Sequence, residues 1–144
     1  MILFMKRLTI ASRVSEAEQV HQALMPDVAA QGYSADAQFA IRLALDEALA
    51  NAIWHGNGRD EAKKVVIEYE VNDQSVAVTV RDQGPGFNPN GVPDPTRDEN
   101  LQKPHGRGIM LMRAYMSDVR FSDDGNCVTL VKERHCTRPH RTAG

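Results

Sequence analysis

Lys64-Val65-Val66-Ile67-Glu68-Tyr69-Glu70-Val71-Asn72-Asp73-Gln74-Ser75-Val76-Ala77-Val78-Thr79-Val80-Arg81 is the stretch on which the reading of the fold turns. Apolar residues take every second position on both sides of Asn72-Asp73-Gln74: Val65, Ile67, Tyr69 and Val71 before it, Val76, Val78 and Val80 after it. A period of two places them on one face of a strand, and the three polar residues make a hairpin-length connection. The expectation is a pair of strands, Lys64 to Val71 and Ser75 to Arg81, with one buried face.

Working outward toward the N-terminus, Ile2 to Ile10 reads as a further strand, with Leu8 and Ile10 alternating against Arg7 and Thr9. Ser12 or Ser15 is expected to cap a helix over about Glu16 to Gln31, whose stripe is Val20, Ala23, Leu24 and Val28. Pro26 should weaken or kink it. Ser34 caps the next helix, Asp36 to about His55, with Phe39, Ile41, Leu45, Ala48, Leu49 and Ala52 toward the core. Gly56-Asn57-Gly58 ends it, because both residue types tolerate a left-handed stop.

On the C-terminal side, residues 83–105 hold glycines, prolines, asparagines and aspartates with few apolar residues. A loop of that length in a compact domain suits a lid. A short helix follows from Gly108 to Met116. A last hairpin pairs Asp118 to Ser122 with Cys127 to Glu133 around Asp123-Asp124-Gly125-Asn126. The element order implies an α+β two-layer sandwich, a mixed, mostly antiparallel sheet with helices on one face. The expected organisation is one domain over residues 1–134 and a flexible tail over residues 135–144.

Composition agrees with a folded chain, since 42% of residues are hydrophobic and 25% charged. A net charge of -2 argues against a broad nucleic-acid or anionic-membrane surface. Cys127 and Cys136 have no metal-type spacing, and a reducing, cytoplasmic setting is expected. Met1-Ile2-Leu3-Phe4-Met5 leads into Lys6-Arg7 without a signal-peptide cleavage pattern. No apolar run approaches the roughly 18 residues a membrane span needs.

Three segments carry chemistry. Glu47 and Asn51 are four apart on a helix, hence on one side of it, beside the apolar stripe. A carboxylate and an amide oxygen there suit Mg²⁺, whose shell nucleotide phosphates commonly complete, with Glu47 placed to accept a hydroxyl proton. Asp82 ends a strand before Gln83-Gly84-Pro85-Gly86-Phe87 and can accept a hydrogen bond from an exocyclic amine such as that of adenine. Gly106 and Gly108 come at the start of a helix, where backbone N–H groups and the dipole favour an anion, with Arg107 and Lys103 adding charge. Singly, these segments also read as a polar helix flank, an Asp-Gly turn and a hinge. Together they describe one ligand: a nucleotide held by its base at one end and by metal and phosphates at the other. The Gly-x-x-x-x-Gly-Lys phosphate loop, the dinucleotide fingerprint and a Gly-x-Ser-x-Gly elbow are absent from the sequence.

Leu45-Asp46-Glu47-Ala48 through Asn51-Ala52-Ile53-Trp54-His55-Gly56, Arg81-Asp82-Gln83-Gly84-Pro85-Gly86-Phe87 and Gly106-Arg107-Gly108 resemble the N box and two glycine boxes of the Bergerat-fold ATPases: gyrase, heat-shock chaperones, histidine kinases and mismatch-repair proteins. Within that superfamily, about Arg7 to Lys132 is similar to the small bacterial anti-sigma-factor serine kinases of the RsbW type. The resemblance implies ATP and Mg²⁺ as cofactors. Asn51 would ligate the metal, Glu47 would be the general base and Asp82 would hold adenine. Gly84 and Gly86 would shape the adenine side, and Gly106, Arg107 and Gly108 would bind phosphates. It implies a protein-serine kinase that phosphorylates a STAS-type antagonist and binds a sigma factor, usually as a homodimer. A nucleotide-gated binding module without significant kinase activity is the alternative. The superfamily often has Gly-Thr near the final strand, where this chain has Gly125-Asn126.

Overall fold

The structure, a computed structural model, describes residues 5–58, 60–84, 104–123 and 125–134, with the side chains of residues 104–107 excluded. Residues 85–103, most of the expected lid, and the tail from residue 135 lie outside the described residues, as does the start of the first expected strand. In chain order the elements are β1 (Lys6–Ala11), α1 (Val14–Ala30), α2 (Ala35–Ala50), a π-helical turn (Asn51–Gly56), β2 (Lys64–Val71), β3 (Ser75–Arg81), α3 (Pro104–Tyr115), β4 (Asp118–Phe121) and β5 (Cys127–Glu133).

The five strands form one sheet in the order β1-β2-β3-β5-β4, and every pairing among them is antiparallel. The sheet is therefore not mixed among the described residues, because each of these neighbours runs opposite to the next. Register keeps the apolar sets in phase: Ile67 faces Val80, Tyr69 faces Val78, Val78 faces Leu130 and Val80 faces Val128. These residues are buried, whereas Glu68, Ala77, Thr79, Thr129 and Val131 on the opposite face are half-buried. Val20, Leu24 and Val28 of α1 and Ile41, Ala44, Leu45, Ala48 and Leu49 of α2 close the core over the buried face. Truncating a fully buried leucine such as Leu45 would cost about 2–5 kcal/mol. No described helix is long and apolar enough to cross a membrane.

Four expectations need correction. Neither Ser12 nor Ser15 caps α1; Arg13 is the cap residue and offers no side-chain bond, while Ser12 Oγ donates to the Lys63 carbonyl across the fold. Pro26 does not interrupt α1, which runs on to Ala30. Its turn is braced by Tyr69, whose hydroxyl donates to the Ala23 carbonyl. Phe39 is 60% exposed and meets Tyr115 edge-on instead of entering the core. It stands two residues ahead of Ile41, about 200° round the helix from the buried stripe. The second helix is α-helical only to Ala50, and Asn51–Gly56 is wound more widely. Ser34 caps it as expected, accepting from the Ala37 N–H.

Candidate functional site

The wide turn begins the site. Its last bond runs from the Asn57 N–H back five residues to the Ala52 carbonyl, at 2.8 Å. Such turns reset the phase of the chain that follows and recur at functional sites. Here the turn carries Gly56 onto the end of β3. A Cβ added to Gly84 would stand 1.7 Å from the Gly56 carbonyl oxygen, and one added to Gly56 would stand 2.2 Å from the Asp82 carboxylate. Only glycine leaves room for these contacts, the first of backbone on backbone and the second of backbone on a carboxylate.

Asp82 is fixed from both sides. Its N–H donates to the Asn126 carbonyl at 2.9 Å, and its Oδ1 accepts the Gly84 N–H at 2.8 Å. Asn126 lies in the β4–β5 turn, where Gly125 takes a φ of 78°. That turn, the π-helical turn and the end of β3 enclose a cavity of about 230 Å³, lined by Ala48, Asn51, Ala52, His55, Gly56, Val80, Asp82, Phe121, Gly125, Asn126, Cys127 and Val128. Its walls are mainly apolar, with Asp82, Asn51, His55 and Asn126 as polar groups. That is the usual make-up of a small-molecule site.

Glu47 lies one turn before Asn51, on the side facing α3. A Cβ added to Gly108 would stand 2.9 Å from Glu47 Oε2 and 3.4 Å from Asn51 Nδ2, so α3 crosses α2 at a residue without a side chain. The neighbouring carboxylate, Asp46, turns the other way and lies 2.5 Å from His21 Nε2 on α1. Asn51 Nδ2 is buried and has no hydrogen-bond partner among the described residues. An unsatisfied buried N–H donor costs about 1–3 kcal/mol and calls for an acceptor from a ligand or water.

The structure thus gathers Asn51 and Asp82 round one cavity, with Glu47 beside Asn51 under α3. Gly84 packs beneath Asp82 rather than lining the cavity. Gly108 does not open a helix: α3 starts at Pro104, a favoured first residue, which puts Gly106 and Gly108 inside it. Of Gly106 and Arg107 only the helical backbone is described. Gly86 and Lys103 lie outside the described residues. Phe121, Cys127 and Val128 also line the cavity, and the sequence marked them only as parts of the last hairpin. No cluster of three or more metal-binding His, Cys, Asp or Glu side chains occurs among the described residues.

Residues 10–132 match the family described as histidine kinase-like ATPase domain. The chain is 27% identical over 108 residues to the serine-protein kinase RsbW of Listeria monocytogenes, covering 70% of this chain and 69% of that protein. It is 31% identical over 99 residues to an anti-sigma F factor of Clostridium perfringens, covering 65% of this chain and 70% of that protein. Among solved structures, the RsbU and RsbW domains of Rv1364c from Mycobacterium tuberculosis align over 96% of this chain with a TM-score of 0.62 and 20% identity. This chain spans about a third of that one, 34%, and the likeness is one of fold.

Proposed function

The chain belongs to the histidine kinase-like ATPase domain family, and from that premise we propose that it is an ATP-dependent protein-serine kinase and partner-switching regulator of the anti-sigma type. Its substrate would be a serine on a STAS-type antagonist, its second partner a sigma factor, its working form a homodimer and its setting the cytoplasm. Relatives named serine-protein kinase and anti-sigma F factor support this reading. The observation that carries it is the cavity bounded by Asp82 and Asn51, with Glu47 beside Asn51 beneath Gly108.

The residues present fit ATP and Mg²⁺. The buried Asn51 Nδ2 lacks an acceptor, which a nucleotide oxygen would supply, and the amide oxygen of the same side chain is the type of ligand a hard cation takes. Asp82, anchored by Gly84 and Asn126, keeps its carboxylate at a cavity wall where an exocyclic amine can donate to it. The apolar walls from Ala48, Ala52, Val80 and Val128 suit a flat base. When bound, the metal would offset the charge that phosphoryl transfer develops. Glu47 would accept the serine hydroxyl proton at Oε2, and Gly108 leaves the space for that carboxylate. Gly106, Arg107 and Gly108, with Lys103 adding charge, would complete the phosphate end, and Gly84 and Gly86 would shape the adenine side.

Labelled ATP and a purified STAS-type antagonist test the assignment. Wild type is expected to label an antagonist serine, Glu47→Ala to bind ATP but transfer at least a hundredfold more slowly, and Asp82→Asn to lose roughly tenfold or more in ATP affinity. Wild-type transfer by Glu47→Ala would remove the base. ATP binding without label on any serine would favour the nucleotide-gated module.

A further inference from the structure

Asn57 does not line the cavity, yet its amide joins three segments of chain at the cavity's base. It is 3% exposed. Its Oδ1 accepts the Gln83 N–H at 2.7 Å, and its Nδ2 donates to Ser12 Oγ at 2.8 Å and to the Lys64 carbonyl at 2.9 Å. Ser12 Oγ donates in turn to the Lys63 carbonyl at 2.8 Å. The direction of the amide is therefore fixed. The Ser12 proton is committed to Lys63, so its oxygen accepts from Asn57. Reversing the amide would set NH₂ against the Gln83 N–H and oxygen against the Lys64 carbonyl.

Gln83 is thus held twice, by Asn57 at its backbone and by the Lys64 N–H, which donates to its Oε1 at 2.6 Å. Gln83 separates Asp82 from Gly84, and Gly84 donates its N–H to Asp82 Oδ1. The chain of bonds runs from Ser12 through Asn57 to the Gln83 backbone and ends on the Asp82 carboxylate. The geometry points to Asn57 as a positioning residue for base recognition: it fixes the turn that aims Asp82, and so sets the preference for adenine without touching the nucleotide. This rests on the reading of Asp82 given above.

A residue that only stabilised the fold would lower the melting temperature and leave the ATP-to-GTP affinity ratio of the folded protein unchanged. The test is to titrate Mg-ATP and Mg-GTP into the full chain and its variants, below their melting temperatures. Asn57→Leu removes the acceptor and both donors. Its ATP affinity is expected to fall roughly tenfold with GTP affinity unchanged, so that discrimination collapses. Asn57→Asp keeps an acceptor for Gln83 and should recover discrimination, though a carboxylate facing the Lys64 carbonyl leaves it less stable than wild type. Where Asn57→Leu does not fold, Asn57→Ser, too short to reach the Gln83 N–H, is read in the same way. A folded Asn57→Leu or Asn57→Ser with the wild-type ratio overturns the proposal, as does an Asn57→Asp that discriminates no better than Asn57→Leu. If Asp82→Asn loses selectivity while Asn57→Leu keeps it, only the positioning role fails. If Asp82→Asn keeps it, the reading of Asp82 fails and takes this one with it.

Discussion

Where β3 stops and β5 begins, Gly84 rests on the Gly56 carbonyl with no side chain between them, and a cavity opens beside the contact. At the opposite end of the sheet, β5 runs into Arg134, whose guanidinium lies 4.1 Å from the centre of the Tyr33 ring. That guanidinium donates to the carbonyls of Asp73, Gly32 and Gln31. The last turn of α1 holds no basic residue of its own, so the end of β5 supplies the cation its carbonyls favour. One end joins backbone to backbone and leaves room for a ligand; the other is a long side chain filling the gap between a hairpin and a helix end. The first geometry has no slack and the second has a good deal. Mutations should therefore couple stability to nucleotide binding at the cavity end and separate them at the Arg134 end.

Gly84→Ala is the largest expected effect. The added methyl meets the Gly56 carbonyl oxygen at 1.7 Å, an atom that cannot rotate away. We expect a loss of about 3 kcal/mol in urea unfolding and, in the folded fraction, loss of ATP binding, because the displaced turn carries Asp82. Normal ATP affinity in a destabilised Gly84→Ala would break the comparison from one side. Arg134→Ala attacks it from the other. Removing the cation–π contact and the carbonyl bonds should cost about 1–2 kcal/mol, with ATP affinity unchanged by calorimetry. An affinity loss there would mean that the two ends are not independent.

The contrast also marks what could be read in the sequence. The limits of β2 and β3 follow from alternation, because a half-buried sheet imposes a strict period of two on its own residues, and those of β5 follow from the turn residues ahead of it. Glu47, Asn51 and Asp82 were legible as local patterns of spacing and strand-end chemistry. Asn57 was legible only as a helix stop, since its role comes from Ser12, 45 residues earlier, and Gln83, 26 later. The widened turn at Asn51 was hidden for the same reason: it is fixed by what Gly56 and Asn57 meet across the fold, and the helical pattern continues through it. Ser12 looked like a cap because serine caps helices, but a distant carbonyl had the stronger claim. Gly106 and Gly108 looked like a helix mouth, and the proline ahead of them started the helix earlier.

Gly108→Ala isolates chemistry from both ends. The added methyl would come within 2.9 Å of Glu47 Oε2, the far tip of a flexible side chain that can move aside. Alanine is also the better helix former by about 1 kcal/mol, which offsets the crowding. The melting temperature should therefore hold, while transfer to the antagonist falls roughly tenfold because the carboxylate is displaced. A marked drop in melting temperature would show that α3 lies on α2 as rigidly as Gly84 lies on Gly56.

The smallest effect belongs to the outer helices, away from either end. Arg42 Nη2 lies 2.9 Å from both carboxylate oxygens of Glu18, and both side chains are about half exposed. The hydrogen bond from Arg42 holds the Glu18 carboxyl below its ordinary value of 4.5. A carboxyl depressed in the folded state contributes stability above its unfolded pKa and loses it as pH falls through the folded one. Exposed pairs of this kind are weak and screened by salt. Wild type and Arg42→Ala should thus differ slightly in melting temperature near pH 7 at low ionic strength, converge as the pH drops below 4.5, and bind ATP alike throughout. A gap that persisted in acid would assign the role of Arg42 to packing of its stem between α1 and α2 rather than to its charge.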